Sequence, residues 1–379
     1  MSVLLQFHHG PMSQILRPVG SLSSLYPWVS GPFIVGAPMR VISGPALAVA
    51  ISGAGGLGFI GPGVKTQDVV PDLEEAAKMV EKARGSSSSV FHFLPPAYSL
   101  LPVGVGFQLW SDDADIATSA IQKYKPCAAW LYAPRHGQKD FDLWSRKIRN
   151  GSPETKIWIQ IGTVAEVKEV LQSSERPDVI VVQGTEAGGH GRAKDGIGLI
   201  TLLPEVADVV KGVRIPLFAA GGIADGRGAA AALCLGASGI VMGTRFLAAT
   251  EARISGGYQQ EIVRASDGAK NTTRTVLYNR LRGTTGWPEH YSPRTIINKT
   301  WIDHQAGTPF DELQKLHDEA VKAGDSGWGP KGRLATYAGA SIGLIHDIKD
   351  ASVIVRDIRD DVLERCMDLK TTISGNNTW

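Results

Sequence analysis

Two stretches, Pro216-Leu-Phe-Ala-Ala-Gly-Gly-Ile223 and Gly239-Ile-Val-Met-Gly-Thr-Arg245, decide how this chain is organised. Each is typical of a short apolar strand that ends in glycine and is followed by a helix. Glycine lets backbone N–H groups approach a phosphate closely, and the N-terminus of the following helix adds unpaired donors. Barrels of alternating strands and helices commonly bind phosphate after strands 7 and 8. The two stretches therefore predict a phosphate site built by consecutive parallel strands.

Six further apolar, β-branched runs precede these two, with helical segments between them. A parallel set of eight strands is compatible with a closed barrel or with an open doubly wound sheet. The polar and glycine-rich motifs follow strands 1, 6, 7 and 8, which favours one face of a closed barrel. We therefore predict an α/β fold, a (β/α)8 TIM barrel. The predicted strands cover residues 33–39, 57–61, 101–107, 128–133, 156–161, 179–182, 216–220 and 239–242.

A glycine pattern at Gly53–Gly58 matches G-x-G-x-x-G, the fingerprint of dinucleotide-binding folds. That fingerprint must follow a strand and begin a helix. Here an alanine-rich helix over Pro45–Ile51 comes first and the predicted strand follows. We interpret the pattern as a helix-to-strand turn.

The pattern changes after residue 250. Residues 251–332 are more polar, and we predict a mostly helical segment that caps the active face and contacts substrate. Residues 1–250 form the ligand-binding barrel in this interpretation, completed by C-terminal helices within 333–379. Apolar residues at helical spacing predict a final helix over 350–369 that docks on the barrel. These residues are Val353, Ile354, Ile358, Val362, Leu363 and Cys366.

Composition limits the classes of partner. The 379 residues have a formal net charge of +2 and no dense basic block, so no nucleic-acid partner is indicated. No apolar run reaches about 18 residues, which argues against a membrane span. Cys127, Cys234 and Cys366 form no C-x-x-C pair, so we expect no metal site or disulfide framework, and a cytoplasmic location. No acidic residue precedes Asp68, a weak feature of a mitochondrial transit peptide.

The stretch from Asp178 to Arg192 is the most informative about chemistry. A buried strand leads to Gln183, whose amide suits the edge of a planar ligand or a carbonyl. A glycine-rich turn then places His190 over the open end of the barrel. Histidine can accept or donate a proton near neutral pH, because its unperturbed pKa is about 6.5. Glu186 in the same turn is a rival base.

With these residues in view, the chain resembles the nitronate monooxygenase (2-nitropropane dioxygenase) family of FMN-dependent barrels. The match begins at Ala37-Pro38-Met39 and continues through the motif Val182-Gln-Gly-Thr-Glu-Ala-Gly-Gly-His190. It then includes Ala219-Ala-Gly-Gly-Ile223 and ends at Met242-Gly-Thr244, so it covers roughly residues 30 to 250. The motif ending at His190 is specific to this superfamily, whereas the Gly-Gly and Gly-Thr pieces occur in other phosphate-binding barrels.

The resemblance implies that FMN is the cofactor and that His190 is the catalytic base. Family members often carry an asparagine after the second strand. Here the segment reads Val90-Phe-His-Phe-Leu94, so that His92 or no residue takes its place. The residues implied to contact FMN are Ala37, Pro38, Met39, Gln183, Gly188, Gly221, Gly222, Val241, Met242, Gly243 and Thr244.

The implied reaction is the oxidation of alkyl nitronates or nitroalkanes with O₂ to a carbonyl compound and nitrite. His190 would remove the α-proton of a neutral nitroalkane, or bind the nitronate charge when protonated. Trp110, Trp130 and Tyr132 either line the substrate pocket or belong to the core. The alternatives are an FMN-dependent enoyl-acyl-carrier-protein reductase that uses NAD(P)H, and a flavin-binding protein without turnover. The expected partners are small-molecule substrate and O₂, and a homodimer is left open.

Overall fold

The computed structural model describes residues 20–86, 89–95 and 97–373. Eight parallel strands form a closed barrel, in which the last strand pairs back to the first. All eight were predicted from the sequence, so the TIM barrel is confirmed and the open doubly wound sheet is wrong. The barrel strands are β1 (Ile34–Gly36), β2 (Leu57–Ile60), β3 (Leu101–Gln108), β4 (Pro126–Tyr132), β5 (Lys156–Ile161), β6 (Val179–Gln183), β8 (Leu217–Ala220) and β9 (Gly239–Met242).

Helices connect successive barrel strands, and their starts follow the sequence signals. The Thr163 hydroxyl accepts a hydrogen bond from the Glu166 N–H at the start of the helix Val164–Gln172. The Asp225 carboxylate accepts one from the Gly228 N–H at the start of the helix Gly226–Cys234. The helices up to the end of the barrel are α1 (Gly20–Leu25), α2 (Pro45–Gly53), α3 (Val69–Arg84), α4 (Ala114–Tyr124), α5 (Gln138–Gly151), α6 (Val164–Gln172), α7 (Leu199–Val209), α8 (Gly226–Cys234) and α9 (Thr244–Leu247).

The glycine pattern at Gly53–Gly58 is a helix-to-strand turn, as predicted. Helix α2 ends at Gly53 and strand β2 begins at Leu57. At Gly58 an added Cβ would lie 2.2 Å from the Ala48 carbonyl oxygen, so only glycine lets α2 pack this closely on β2. The motif therefore serves helix–strand packing.

Aromatic side chains from different strands fill the barrel interior. Phe59, Trp130, Trp158 and Phe218 are almost fully buried. The rings of Trp158 and Phe218 lie 4.6 Å apart, and those of Trp130 and Trp158 stack at 5.8 Å. This packed interior gives the strand ends above it a rigid base.

The predicted C-terminal docking helix is confirmed as α15 (Ala351–Ile373). It packs on α2 and α8, and Ile354, Ile358 and Val362 are buried in that contact. The Arg359 guanidinium donates to the Gly55 carbonyl at 3.1 Å, and the Asp361 carboxylate accepts a hydrogen bond from Gly226 N–H at 2.8 Å. The helix therefore braces the loop after β8.

Residues 251–332 contain two strands as well as helices, and these strands were not predicted. Strands β10 (Thr272–Arg274) and β11 (Tyr291–Ile296) form an antiparallel sheet with β7 (Gly189–Arg192). His190 therefore lies on a strand, paired with Pro293, and the prediction of a turn there was wrong. The helices of this segment are α10 (Gly256–Arg264), α11 (Gly268–Asn271), α12 (Leu277–Leu281), α13 (Lys299–Gln305) and α14 (Phe310–Lys322).

Among the described residues, no helix is both long and apolar enough to cross a membrane. The acidic-free opening of the chain lies partly in residues 1–19, outside the described residues.

Candidate active site

A cavity of about 960 Å³ lies at the carboxyl ends of the barrel strands. Predicted site residues from β1, β6, β8, β9 and the β7 sheet line it: Ala37, Pro38, Met39, Gln183, Gly188, His190, Gly221, Gly222, Val241, Gly243 and Thr244. Met242 does not line the cavity and is fully buried in the barrel wall. Successive strand residues face opposite sides, so Val241 and Met242 cannot both face the cavity.

The loops after β8 and β9 present free backbone donors to this cavity. Gly221 and Gly222 have φ angles of +100° and +75°, which favour glycine. Within the described part of the chain, the N–H groups of Gly221, Gly222 and Gly243 make no hydrogen bond. An added Cβ at Gly243 would meet Met39 Sδ at 3.7 Å and Ala37 Cβ at 3.8 Å, both ordinary contacts. The protein itself therefore leaves room here for another group.

These free donors have the chemistry that a phosphate group requires. Free N–H donors beside the start of α8 are the groups that bind phosphate dianions in other barrels. The Arg245 side chain turns away from the cavity, because its guanidinium contacts the Asp347 carboxylate at 2.7 Å. Backbone N–H groups are therefore the donors that this arrangement offers to a phosphate.

His190 is held by two contacts from the segment 251–332. Its Nε2 lies 3.0 Å from Asn279 Oδ1. Its ring stacks on that of Trp287, with centroids 3.6 Å apart and planes 5° apart. The imidazole is thus fixed in position and keeps partial exposure through the cavity.

Burial lowers the pKa of His190 from its usual value to about 3, because desolvation penalises the imidazolium. The hydrogen bond to Asn279 opposes this shift, and the positive charges of Arg274, Arg282 and Arg40 add to it. The imidazole is therefore neutral at physiological pH and can accept a proton.

This shift predicts a pH-dependent stability. The unfolded chain binds a proton at His190 near pH 6.5, whereas the folded chain does so only near pH 3. The contribution to stability is therefore complete above pH 6.5 and decreases as the pH falls. Between pH 7 and pH 5, the apoprotein should lose about 2 kcal/mol more unfolding free energy than its His190→Gln variant, measured by urea denaturation. Equal losses would contradict the depressed pKa.

The carboxylate of Glu186, the alternative base, is hydrogen-bonded to a helix N-terminus. Both of its carboxylate oxygens accept from the Leu199 N–H, at 2.9 and 3.0 Å, at the start of α7. A carboxylate at a helix N-terminus stabilises the helix. Glu186 thus has a structural role in this arrangement, which leaves His190 as the candidate base.

An arginine from β10 organises the backbone of the turn that precedes His190. Arg274 donates to the carbonyl oxygens of Thr185, Ala187, Gly189 and Ser292. It forms no ion pair with a carboxylate within the described residues, and burial lowers its pKa to about 10. Its guanidinium replaces water as the partner of these carbonyls and keeps the turn in place.

Of the aromatic residues predicted to line the pocket or to belong to the core, two line the pocket and one belongs to the core. Trp110 and Tyr132 line the cavity and lie beside Trp287, with ring centroids 5.0 and 6.1 Å from it. Trp130 also borders the cavity, but only 1% of it is exposed and it packs in the barrel interior. The three outer rings form an apolar wall at the mouth of the barrel.

Sequence reasoning missed several residues of the site. Asn279, Trp287 and Arg282 belong to the segment after the barrel, and no local motif marks them. His92 is exposed, bonds the Ser89 carbonyl through Nδ1 and does not line the cavity. It therefore does not take the place of the family's asparagine.

The family match and two similar proteins point to the same enzyme family. Residues 27–85 and 148–360 match the nitronate monooxygenase family. A nitronate monooxygenase of Metarhizium robertsii is 57% identical, over 90% of this chain and 93% of the relative. A nitronate monooxygenase of Neurospora crassa is 33% identical, over 91% of this chain and 92% of its own.

Solved structures agree on the architecture. FabK from Thermotoga maritima superimposes with a TM-score of 0.68 at 27% identity, covering 93% of this chain and 98% of its own. A nitroalkane oxidase from Streptomyces ansochromogenes gives a TM-score of 0.67 at 24% identity, covering 92% and 99%. At that identity the second likeness reports the fold alone. With the sequence matches above, the chain belongs to the nitronate monooxygenase family of enzymes.

Proposed function

We propose that this enzyme uses FMN and O₂ to oxidise alkyl nitronates, and nitroalkanes after proton removal, to a carbonyl compound and nitrite. The observation that carries the proposal is the position of a neutral, partly accessible His190 in the same cavity as the glycine cradle. The family assignment supplies the class of reaction.

FMN would be held at its phosphate by the N–H groups of Gly221, Gly222 and Gly243. Ala37, Pro38 and Met39 after β1, with Gln183 and Gly188, would contact the rest of the cofactor. When bound, FMN supplies the redox chemistry between nitronate and O₂, which amino-acid side chains lack. The chain's own residues bind, orient and deprotonate the substrate.

The charge of the cavity suits an anionic substrate. Arg40 and Arg282 line it, and neither forms an ion pair with a carboxylate among the described residues. Unpaired guanidinium groups in a concave, partly desolvated site attract anions. A nitronate, or the anion formed when a neutral His190 removes the α-proton, would be stabilised there.

The apolar wall of Trp110, Tyr132 and Trp287 would exclude water from the alkyl part of the substrate. Trp287 and Asn279 come from the segment 251–332, which supports its proposed role as a substrate-capping segment. The barrel would thus bind the cofactor, and the segment 251–332 would contact the substrate. A cytoplasmic location and a homodimer stay predictions.

Anaerobic titration tests the proposed reaction. The purified flavoprotein should lose its yellow absorbance when ethyl nitronate is added, and should keep it when NADH or NADPH is added. The enoyl reductase alternative predicts the reverse, and a binding protein without turnover predicts no bleaching by either.

A further inference from the structure

Asn279 occupies a defined place beside the imidazole of His190. It lies on α12, is 6% exposed, and its Oδ1 is 3.0 Å from His190 Nε2. The Asn279 carbonyl accepts from the Thr284 N–H at 2.9 Å, and its neighbours Leu277, Tyr278 and Leu281 pack in a small apolar cluster. The amide is therefore presented by a well-packed helix.

We propose that Asn279 is a positioning residue that holds His190 in the Nε2–H tautomer, so that Nδ1 is the proton acceptor of the reaction. The inference rests on the proposed function of His190 as a base. A neutral imidazole carries one donor and one acceptor nitrogen, and the partner of one sets the role of the other. Because Oδ1 can only accept, the proton sits on Nε2.

The remaining nitrogen is available. Within the described residues Nδ1 makes no hydrogen bond, and it is not among the buried polar atoms that lack a partner. The stack on Trp287 fixes the ring plane, and the bond to Asn279 fixes the rotation within that plane. Together these two contacts fix the direction in which Nδ1 points, and neither comes from a charged side chain.

In the part of the chain that the structure describes, no carboxylate contacts His190, which distinguishes this base from a histidine–aspartate pair. The charged groups that act on His190 are Arg274 from β10, Arg282 after α12 and Arg40 after β1. The Tyr337 ring lies 5.9 Å away. The Asn279 amide orients the imidazole and raises its pKa without the negative charge of a carboxylate, so desolvation still keeps the base free at physiological pH.

Asn279→Asp tests this arrangement, because it preserves shape and adds a negative charge at the Nε2 contact. Val276→Asp is the matched control: it adds the same charge to the same helix, at its exposed N-cap, where aspartate is favourable. The first readout is ¹⁵N NMR of the histidines, with His190→Asn used for assignment. We expect an Nε2–H tautomer in the wild type, and a His190 pKa raised by about one to three units only in Asn279→Asp.

Kinetics give the second readout. In Asn279→Asp, kcat/KM with nitroethane should gain a new acid limb, since the base works only when deprotonated; Val276→Asp should retain the wild-type profile. Asn279→Leu, which removes the hydrogen bond without adding charge, should lower kcat by about 10- to 100-fold with KM nearly unchanged.

An Nδ1–H tautomer in the wild type, or an unchanged His190 pKa in Asn279→Asp, would overturn the proposal. So would wild-type kcat in Asn279→Leu. The NMR result is independent of turnover. It would therefore stand even if nitronate failed to reduce the flavoprotein, a failure that would instead contradict the proposed function.

Discussion

His190→Asn should lower kcat/KM for neutral nitroethane by about 10²- to 10⁴-fold, the usual contribution of a positioned general base. An asparagine amide cannot accept the α-proton, so the neutral substrate stays unreactive. Pre-formed ethyl nitronate needs no proton removal, and its kcat/KM should fall by no more than about tenfold, through lost contacts at the cavity wall. Oxygen uptake with each substrate measures the two rates in the same preparation.

The comparison of two substrates is the internal control, because damage to the fold or to cofactor binding would lower both rates alike. Flavin absorbance per mole of protein should equal that of the wild type. His92→Asn, an exposed histidine outside the cavity, should leave both rates unchanged. Equal losses with nitroethane and ethyl nitronate would show that His190 is not the base.

The barrel was predictable because its signals are local. Each strand is a short apolar run, and the capping residues Thr163 and Asp225 lie within three residues of the N–H groups they bind. The glycine turns after β8 and β9 are local as well, since the φ angles of Gly221 and Gly222 depend on the turn itself. Parallel topology then brings these turns to one end of the barrel.

The surroundings of His190 were not predictable, because they depend on pairing between distant segments. Strand β7 reads as a glycine-rich loop, Gly-His-Gly-Arg, and becomes a strand only through β11, about a hundred residues later. The same pairing brings Asn279 and Trp287 to the imidazole. Their residue types are common in helices and loops, so nothing local distinguishes them from surface or core residues.

Met242 shows that a residue implied by a family motif need not face the cavity. The motif Val-Met-Gly-Thr marks the strand end correctly, but side chains alternate along a strand. Val241, Gly243 and Thr244 line the cavity, whereas Met242 packs in the barrel wall. The sequence alone does not show whether a residue contacts a ligand through its backbone or through its side chain. Here the register of β9 determines which side chains face the cavity.

Gly243→Asp should abolish or strongly weaken FMN binding. Gly243 has ordinary backbone angles, φ −105° and ψ −68°, and an added Cβ makes only ordinary contacts, so either an Asp or an Asn variant should fold. Both side chains would occupy the cradle and have nearly the same size. Only the aspartate adds a negative charge beside a bound phosphate dianion, and two like charges within about 6 Å repel by more than 1.4 kcal/mol at a protein surface.

We therefore expect the Kd for FMN to be at least about tenfold higher in Gly243→Asp than in Gly243→Asn, measured by fluorescence quenching at low salt. Riboflavin, which lacks the phosphate, should bind the two variants equally. Gly85→Ala, at the end of α3 with its nearest added contact at 3.6 Å, controls for loss of a glycine. Equal FMN affinities in the Asp and Asn variants would place the phosphate elsewhere, because a dianion in this cradle must respond to the added charge.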